Sequence, residues 1–175
     1  FDRPLLARVG RLAENEAVGA PTGIMDQMAS LLGEPDAAVF LDCRSLDARA
    51  VPLGLGPADL EVLVIDTRVE HAHATGGYGA RRASCERAAK TLGVTALRDV
   101  DAAGLEASRH LLDDETYRRA RHIVTENQRV LDAVAVLEGT SSSAGTAEDR
   151  MRALGLLLDA SHVSMRDDFE ISVPE

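Results

Sequence analysis

AENEAVGAPTGIMDQMAS, residues 13–30, says more about the fold than any other stretch, because a loop with glycine and proline interrupts two helical patterns there. Before the loop, residues 3–15 repeat leucine and valine at helical spacing. After it, residues 24–32 place methionine and leucine on one face, and Gly33 follows as a typical stop. The sequence therefore predicts two helices joined by a short turn.

Two acidic residues flank this loop and are candidates for chemistry. Asp26 falls in the first turn of the second predicted helix, where the helix dipole keeps a carboxylate ionised. Gly19 and Gly23 have no Cβ, so a ligand can approach closely, and Asp26 can then orient or deprotonate a hydroxyl group. Glu14 could hold Mg²⁺, which prefers oxygen ligands. The simpler alternatives are a helix-capping aspartate and a solvated glutamate.

Strand patterns follow this region, and helical patterns come after them. The predicted strands are 38–42, 49–53 and 60–67, of which the last has the clearest pattern. The predicted helices are 78–92, 117–137 and 147–165. The GLGPAD stretch at 54–59 is a linker candidate, which divides the chain into domains 1–59 and 60–175. Strands followed by several helices indicate an α+β fold.

A second glycine-rich segment, GGYGARR at residues 76–82, follows the third predicted strand. It places Tyr78 at a helix start after a permissive turn, where a flat ring and a hydroxyl group could grip a sugar. Its glycines do not match a dinucleotide-binding fingerprint. A surface turn with a core tyrosine is the alternative.

Two charged helical segments have a structural explanation. In residues 117–137, Glu126 is expected to pair with His122 or Arg129 at helical spacing. The RDDFE segment at 166–170 is expected to form caps and ion pairs at a helix end.

The composition restricts the classes of protein considered. Of 175 residues, 29 are Asp or Glu and 19 are Lys or Arg, which gives a formal net charge of −10. This balance disfavours a nucleic-acid partner, and no apolar run approaches the roughly 18–20 residues of a membrane span. Cys43 and Cys85 are too few for a disulfide framework and are expected to be reduced. Because no signal peptide is visible, a cytoplasmic location is expected.

Several of these segments, in this order, resemble the galactokinases of the GHMP family of small-molecule kinases. The matching stretches are AENEAVGAPTGIMDQMAS (13–30), LDCRSL (41–46), GGYGARRASCERAA (76–89), YRRARHIVTEN (117–127) and SHVSMRDDFEISVPE (161–175). The GIMDQ and RDDFE motifs distinguish galactokinases within the larger family. The resemblance covers most of the chain.

The resemblance implies ATP-dependent phosphorylation of galactose at its C1 hydroxyl, giving galactose 1-phosphate. Asp26 would face that hydroxyl as base or orienter, Gly23 would offer its backbone to the sugar, and Tyr78 would contact a sugar hydroxyl. Glu14 stands where the family has its magnesium-binding glutamate. The implied fold is α+β, with part of an N-terminal half like domain 2 of ribosomal protein S5. The C-terminal half would be ferredoxin-like and rich in helix.

The resemblance also implies parts that this sequence does not contain. An N-terminal signature with a catalytic arginine should precede Phe1, a glycine- and serine-rich phosphate loop should precede Asp26, and a glycine-rich motif should follow Glu175. Residues 141–144 imitate the phosphate loop in composition but lack its flanking Gly-Leu-Gly and lie after Asp26. We therefore expect these 175 residues alone to be inactive, and to self-associate through unpaired edges and apolar faces.

Departures from the family pattern are small, and three alternatives to galactokinase activity remain. Thr22 and Val173 stand where cysteine is common, and Ala17 stands where an aromatic residue is usual. None of the three is expected to touch a catalytic role. The alternatives are a kinase for a related sugar such as N-acetylgalactosamine, a protein that senses galactose and ATP without turnover, and a stable core without activity.

Overall fold

The computed structural model describes residues 2–19, 22–66, 68, 77–141 and 145–172. The chain forms two compact units. The first unit contains the residues up to Glu61 together with Val134–Met151, and the second contains Val62–Ala133 together with the residues from Arg152 onward. The predicted domains, 1–59 and 60–175, stay a prediction.

The first unit begins with the two helices that the sequence predicts around the loop. Helix α1 spans Arg3–Ala13 and starts at Asp2, whose side chain accepts a hydrogen bond from the Leu5 amide at 3.3 Å. A π-helical turn over Glu14–Val18 continues it and ends at Gly19, which has a φ of 74°. Only glycine adopts this left-handed conformation without steric cost. Helix α2 spans Met25–Leu32.

A small antiparallel sheet follows α2. Strands β1 (Ala37–Leu41) and β2 (Ala48–Pro52) pair in the register Val39 with Ala50, which confirms the first two predicted strands. The core of this unit forms where α1 and α2 meet, and its buried members are Ala7, Ile24 and Met28.

The third predicted strand is wrong for the residues that the structure describes. Residues 60–66 have no regular secondary structure, and Val62 and Val64 are 71% and 86% exposed. The sequence pattern has the β-branched residues of a strand, but a strand also needs a neighbour for its N–H and C=O groups. In the described part of the chain the sheet consists of β1 and β2, and residues 60–66 pair with neither. Thr67, the last residue of the predicted strand, lies outside the described residues.

Helices account for most of the second unit. They are α3 (Gly77–Thr91), α4 (Ala102–Ala107), α5 (Asp114–Leu137) and α6 (Ala147–Asp167), the last two also contributing to the first unit. The predicted helices 78–92, 117–137 and 147–165 are thus confirmed. Helix α5 begins at Asp114, three residues before the predicted start. The Asp113 side chain, just before it, accepts a hydrogen bond from the Thr116 amide at 2.8 Å. Helix α4 was not predicted, because it is short and contains Gly104.

The core of the second unit lies between α3, α4 and α5. Its buried members are Ala88, Ala89, Leu97, Leu105, Tyr117, Ala120 and Val124. Alanine at several of these positions lets the helices approach closely, which suits a chain with few aromatic residues. Among the described residues, no helix is both long and apolar enough to span a membrane.

Candidate active site

The candidate active site centres on the loop between the π-helical turn and α2, in the first unit. Glu14 is the first residue of the π-helical turn, and its Oε2 atom accepts two hydrogen bonds. The Thr22 hydroxyl donates one at 2.9 Å, and the Gln27 side-chain amide donates the other at 2.7 Å. Both bonds are partly buried, and together they restrict the position of the Glu14 carboxylate.

Asn15 is also hydrogen-bonded to this loop, at Thr22. Its side-chain amide donates to the carbonyl oxygen of Arg11 at 2.8 Å and to that of Thr22 at 3.4 Å. The loop is therefore tied at Thr22 through both its backbone and its side chain. The expectation that Thr22 touches no catalytic role stays a prediction, and its hydroxyl group bonds to Glu14, the candidate metal ligand.

Asp26 lies in the first turn of α2, as the sequence predicts, and its side chain is exposed. Ile24 occupies the cap position without a side-chain hydrogen bond, so Asp26 is the acidic group nearest the positive end of this helix dipole. An open depression of about 430 Å³ adjoins it, lined by Leu6, Gly10, Asp26, Gln27, Ser30 and Leu31. Gly23 is exposed, and a Cβ there would meet no atom within 4 Å. The start of α2 thus presents the exposed backbone of Gly23 and the exposed carboxylate of Asp26 close together in the chain.

Tyr78 belongs to the second unit. It is the second residue of α3, and its side chain is 56% exposed, so it is a surface residue and not a core one. Gly76, which precedes this helix in the predicted turn, lies outside the described residues. The structure brings Glu14, Gly23 and Asp26 together in the first unit, and Tyr78 stands in the other unit.

The RDDFE segment forms the ion pairs predicted for it, at the C-terminal end of α6. Arg119 of α5 is buried and donates to the Asp168 carbonyl oxygen at 2.5 Å and to the Glu170 carboxylate at 2.6 Å. Arg81 of α3 donates to the Phe169 carbonyl oxygen at 2.6 Å. The motif therefore fastens the end of α6 to two other helices.

Glu126 forms one of the two pairs that the sequence allowed. The Arg129 guanidinium donates to its carboxylate at 2.9 Å, and the Ser161 hydroxyl donates to it at 2.6 Å. His122 instead lies 3.0 Å from the Ser164 hydroxyl through its Nδ1 atom. These contacts are structural and lie within the second unit.

Metal-binding groups are sparse in the described part of the chain. No cluster there brings together three or more His, Cys, Asp or Glu side chains. Cys43 and Cys85 are free thiols, and burial raises the pKa of the Cys85 thiol. Glu14 is the candidate metal ligand that the sequence indicated. Among the described residues, its Oε1 atom has no hydrogen-bond donor.

Sequence reasoning missed Thr22 and Gln27 as partners of Glu14. The sequence did carry a signal for each residue, since Gln27 is the last residue of the GIMDQ motif and Thr22 stands where cysteine is usual. Their shared target could not be predicted from the sequence, because it depends on where the Thr22 and Gln27 side chains lie in space relative to Glu14.

Comparison with known proteins places these features in a family context. No family model matches the chain. Galactokinase of Streptomyces coelicolor is 49% identical to it over 172 residues, covering 97% of this chain and 42% of that protein. Galactokinase of Mycobacterium tuberculosis is 47% identical over 172 residues, covering 98% of this chain and 45% of that protein. The chain therefore spans less than half the length of the curated relatives it matches.

A solved structure gives the same result at the level of the fold. The crystal structure of Lactococcus lactis galactokinase complexed with galactose matches with a TM-score of 0.82 and 28% identity, covering 99% of this chain and 43% of that one. The fold is thus that of a segment of a GHMP small-molecule kinase, with α+β architecture. Within that class, the chain corresponds in sequence to less than half of a galactokinase.

Proposed function

We propose that the protein carrying this chain is a galactokinase, which transfers phosphate from ATP to the C1 hydroxyl of galactose. The observation that supports this most directly is the junction of Glu14 and Asp26. Gln27 follows Asp26 in the chain and donates to Glu14, so α2 carries Asp26 next to a residue that is hydrogen-bonded to Glu14. The similarity to galactokinases over 97% of the chain supports the same substrate.

Asp26 would act on the galactose C1 hydroxyl, as base or as orienter. Its place in the first turn of α2, near the positive end of the helix dipole, suits a carboxylate that accepts a proton or a hydrogen bond. Gly23, with open space where a side chain would be, lets the sugar approach the backbone. Tyr78, exposed at the start of α3, would offer its ring and hydroxyl group to the sugar.

Glu14 fits the part of a magnesium ligand. Mg²⁺ bound with nucleotides usually takes one or two carboxylates together with phosphate oxygens. Glu14 supplies one carboxylate, and its Oε1 atom has no competing donor among the described residues. Glu14 would hold the cation, which would supply positive charge to offset that of the ATP phosphates.

The 175 residues alone would lack parts of such a site. Phosphoryl transfer depends on positioning and charge neutralisation, which in this family would require an arginine and a phosphate loop. The sequence contains no such loop before Asp26. We infer that the chain supplies one portion of the site, and that turnover needs the longer protein. We also infer a cytoplasmic location, which the free thiols Cys43 and Cys85 support.

A coupled assay of ADP release tests the proposed function. The intact mass of the purified protein is measured first, and the protein is then assayed with ATP, Mg²⁺ and galactose. The longer protein should release ADP with galactose, and Asp26→Asn should reduce the rate by several powers of ten. Asp36→Asn is the matched control, because Asp36 is exposed in the same unit and asparagine tolerates its φ of 55°.

Each contrary result has a distinct meaning. Turnover with N-acetylgalactosamine in place of galactose would replace the substrate in the proposal. Galactose binding without ADP release would make the protein a sensor. Turnover by a protein of 18.7 kDa would overturn the inference that the 175 residues are inactive alone.

A further inference from the structure

We propose that Thr22 and Gln27 are positioning residues for the Glu14 carboxylate, and that through it they set the affinity of the protein for its divalent cation. This role presupposes the proposed function, in which Glu14 binds Mg²⁺. Neither side chain would touch the cation itself.

Both side chains donate to the same oxygen atom of Glu14. The Thr22 hydroxyl lies 2.9 Å and the Gln27 amide nitrogen 2.7 Å from Oε2. Two donors on one oxygen fix the rotation of the carboxylate plane and leave Oε1 without a donor among the described residues. Oε1 is therefore the oxygen that remains for a cation. Mg²⁺ demands nearly ideal octahedral geometry, so it is sensitive to the orientation of each ligand.

The Gln27 side chain is confined by the packing of α1 against α2, and its hydrogen bond to Glu14 orients its amide. A Cβ on Gly10 of α1 would lie 3.2 Å from the Gln27 Cγ atom, so the helices approach closely here. The Gln27 Oε1 atom is buried and has no hydrogen-bond partner among the described residues. An amide turned the other way would press this oxygen against the Glu14 carboxylate. Donation to Glu14 is thus the interaction that decides which way the amide faces.

The two donors come from opposite sides of the segment proposed to bind the sugar. Thr22 immediately precedes Gly23, and Gln27 immediately follows Asp26. A displacement of either end of this segment would therefore also move the Glu14 carboxylate. Hydrogen-bonded partners of metal ligands commonly contribute a factor of about 10–100 to metal affinity.

Binding of Mn²⁺ to the full-length protein tests this role without relying on turnover. Mn²⁺ stands in for Mg²⁺ and is titrated by electron paramagnetic resonance in the presence of a non-hydrolysable ATP analogue. The variants are Thr22→Val, which is isosteric, Gln27→Met, Thr22→Ser, which keeps the hydroxyl group, and Glu14→Gln. Gln128→Met is the matched control, because Gln128 is an exposed residue of α5 that donates to Asp132.

The proposal predicts about 10-fold weaker Mn²⁺ binding for Thr22→Val and for Gln27→Met. Thr22→Ser and Gln128→Met should bind like the unaltered protein, and Glu14→Gln should weaken binding most. The Mg²⁺ concentration for half-maximal rate should rise in parallel, while the KM for galactose stays constant.

Two results would overturn the positioning role, and they differ in whether they also refute Glu14 as a ligand of the cation. Unchanged Mn²⁺ affinity in Thr22→Val and Gln27→Met, with weak binding in Glu14→Gln, would refute the positioning role and leave Glu14 as a ligand. Unchanged affinity in Glu14→Gln would refute both. ADP release with galactose by the unaltered protein is a separate readout of the proposed function. Should Gln27→Met fail to fold by circular dichroism, the loop variant Thr22→Val decides.

Discussion

At the scale of single residues, His122 shows how burial alters acid–base behaviour away from the candidate site. The imidazole is buried between α5 and α6, where it lies against the Ser164 hydroxyl and stacks on Phe169 with ring centroids 4.5 Å apart. Burial is the largest cause that lowers the pKa of His122; the charge of Glu126 opposes this effect and that of Arg129 adds to it. The folded protein therefore favours the neutral ring.

This lowered pKa predicts that stability falls as the pH decreases below 6.5, the ordinary value for histidine. In that range the unfolded chain binds a proton on His122 more readily than the folded one, so acid favours unfolding. The free energy of unfolding, measured with urea at several pH values between about 5 and 7, should depend less on pH in His122→Gln than in the unaltered protein. Equal slopes would contradict this. Hydrogen bonds lower the pKa values of Asp113 and Glu170, whose contributions are lost in more acidic solution.

The sequence located the candidate residues better than it located their partners. Asp26 and Glu14 could be found because helix patterns and the loop between them fix where each one stands. Gln27 and Thr22 could not be assigned, because the sequence does not say which way a loop side chain turns. The roles of Asp26, Gly23, Tyr78 and Glu14 stay predictions.

At the scale of elements, helices were predicted well and strands only in part. Helical periodicity is local, so α1, α2, α5 and α6 could be placed from spacing alone. Residues 60–66 have the pattern of a strand but lack a neighbour among the described residues, because pairing depends on chain far away in sequence. The ion pairs of RDDFE were expected, but their anchor, the buried Arg119, was not.

The contacts of Arg119 allow a prediction of how much the attachment of α5 to the end of α6 contributes to stability. Its guanidinium donates to the Asp168 carbonyl oxygen and to the Glu170 carboxylate from a side chain that is 6% exposed. Arg119→Met should lower the free energy of unfolding by about 2–3 kcal/mol, because the Asp168 carbonyl oxygen would lose a buried donor and the half-exposed Glu170 carboxylate would lose an ion-pair partner. Arg166→Met is the control, since Arg166 is exposed and pairs with its neighbour Asp167. A change within about 0.5 kcal/mol in both variants would show that the contact contributes little.

At the scale of the whole molecule, residues 62–65 form an apolar run that stays exposed to solvent in the folded structure. Val62, Leu63, Val64 and Ile65 are between 71% and 86% exposed. Four consecutive apolar side chains in water are unfavourable, and backbone N–H and C=O groups outside a sheet can pair with another chain. The chain spans 43% of the Lactococcus lactis structure that it matches, so much of that fold has no counterpart in it.

We therefore expect these 175 residues, prepared alone, to self-associate through residues 62–65. The weight-average mass from sedimentation equilibrium should rise with concentration above the 18.7 kDa of a single chain. Val64→Lys should return the mass to that of one chain, because a buried ammonium group is costly and a lysine on an edge blocks pairing. Leu156→Lys, at an exposed position of α6, should leave association unchanged. In the longer protein the same Val64→Lys change should lower stability instead, because the run would already be covered there. If the mass stayed that of one chain at every concentration, the prediction would be wrong, and residues 62–65 would remain exposed to solvent in a monomer.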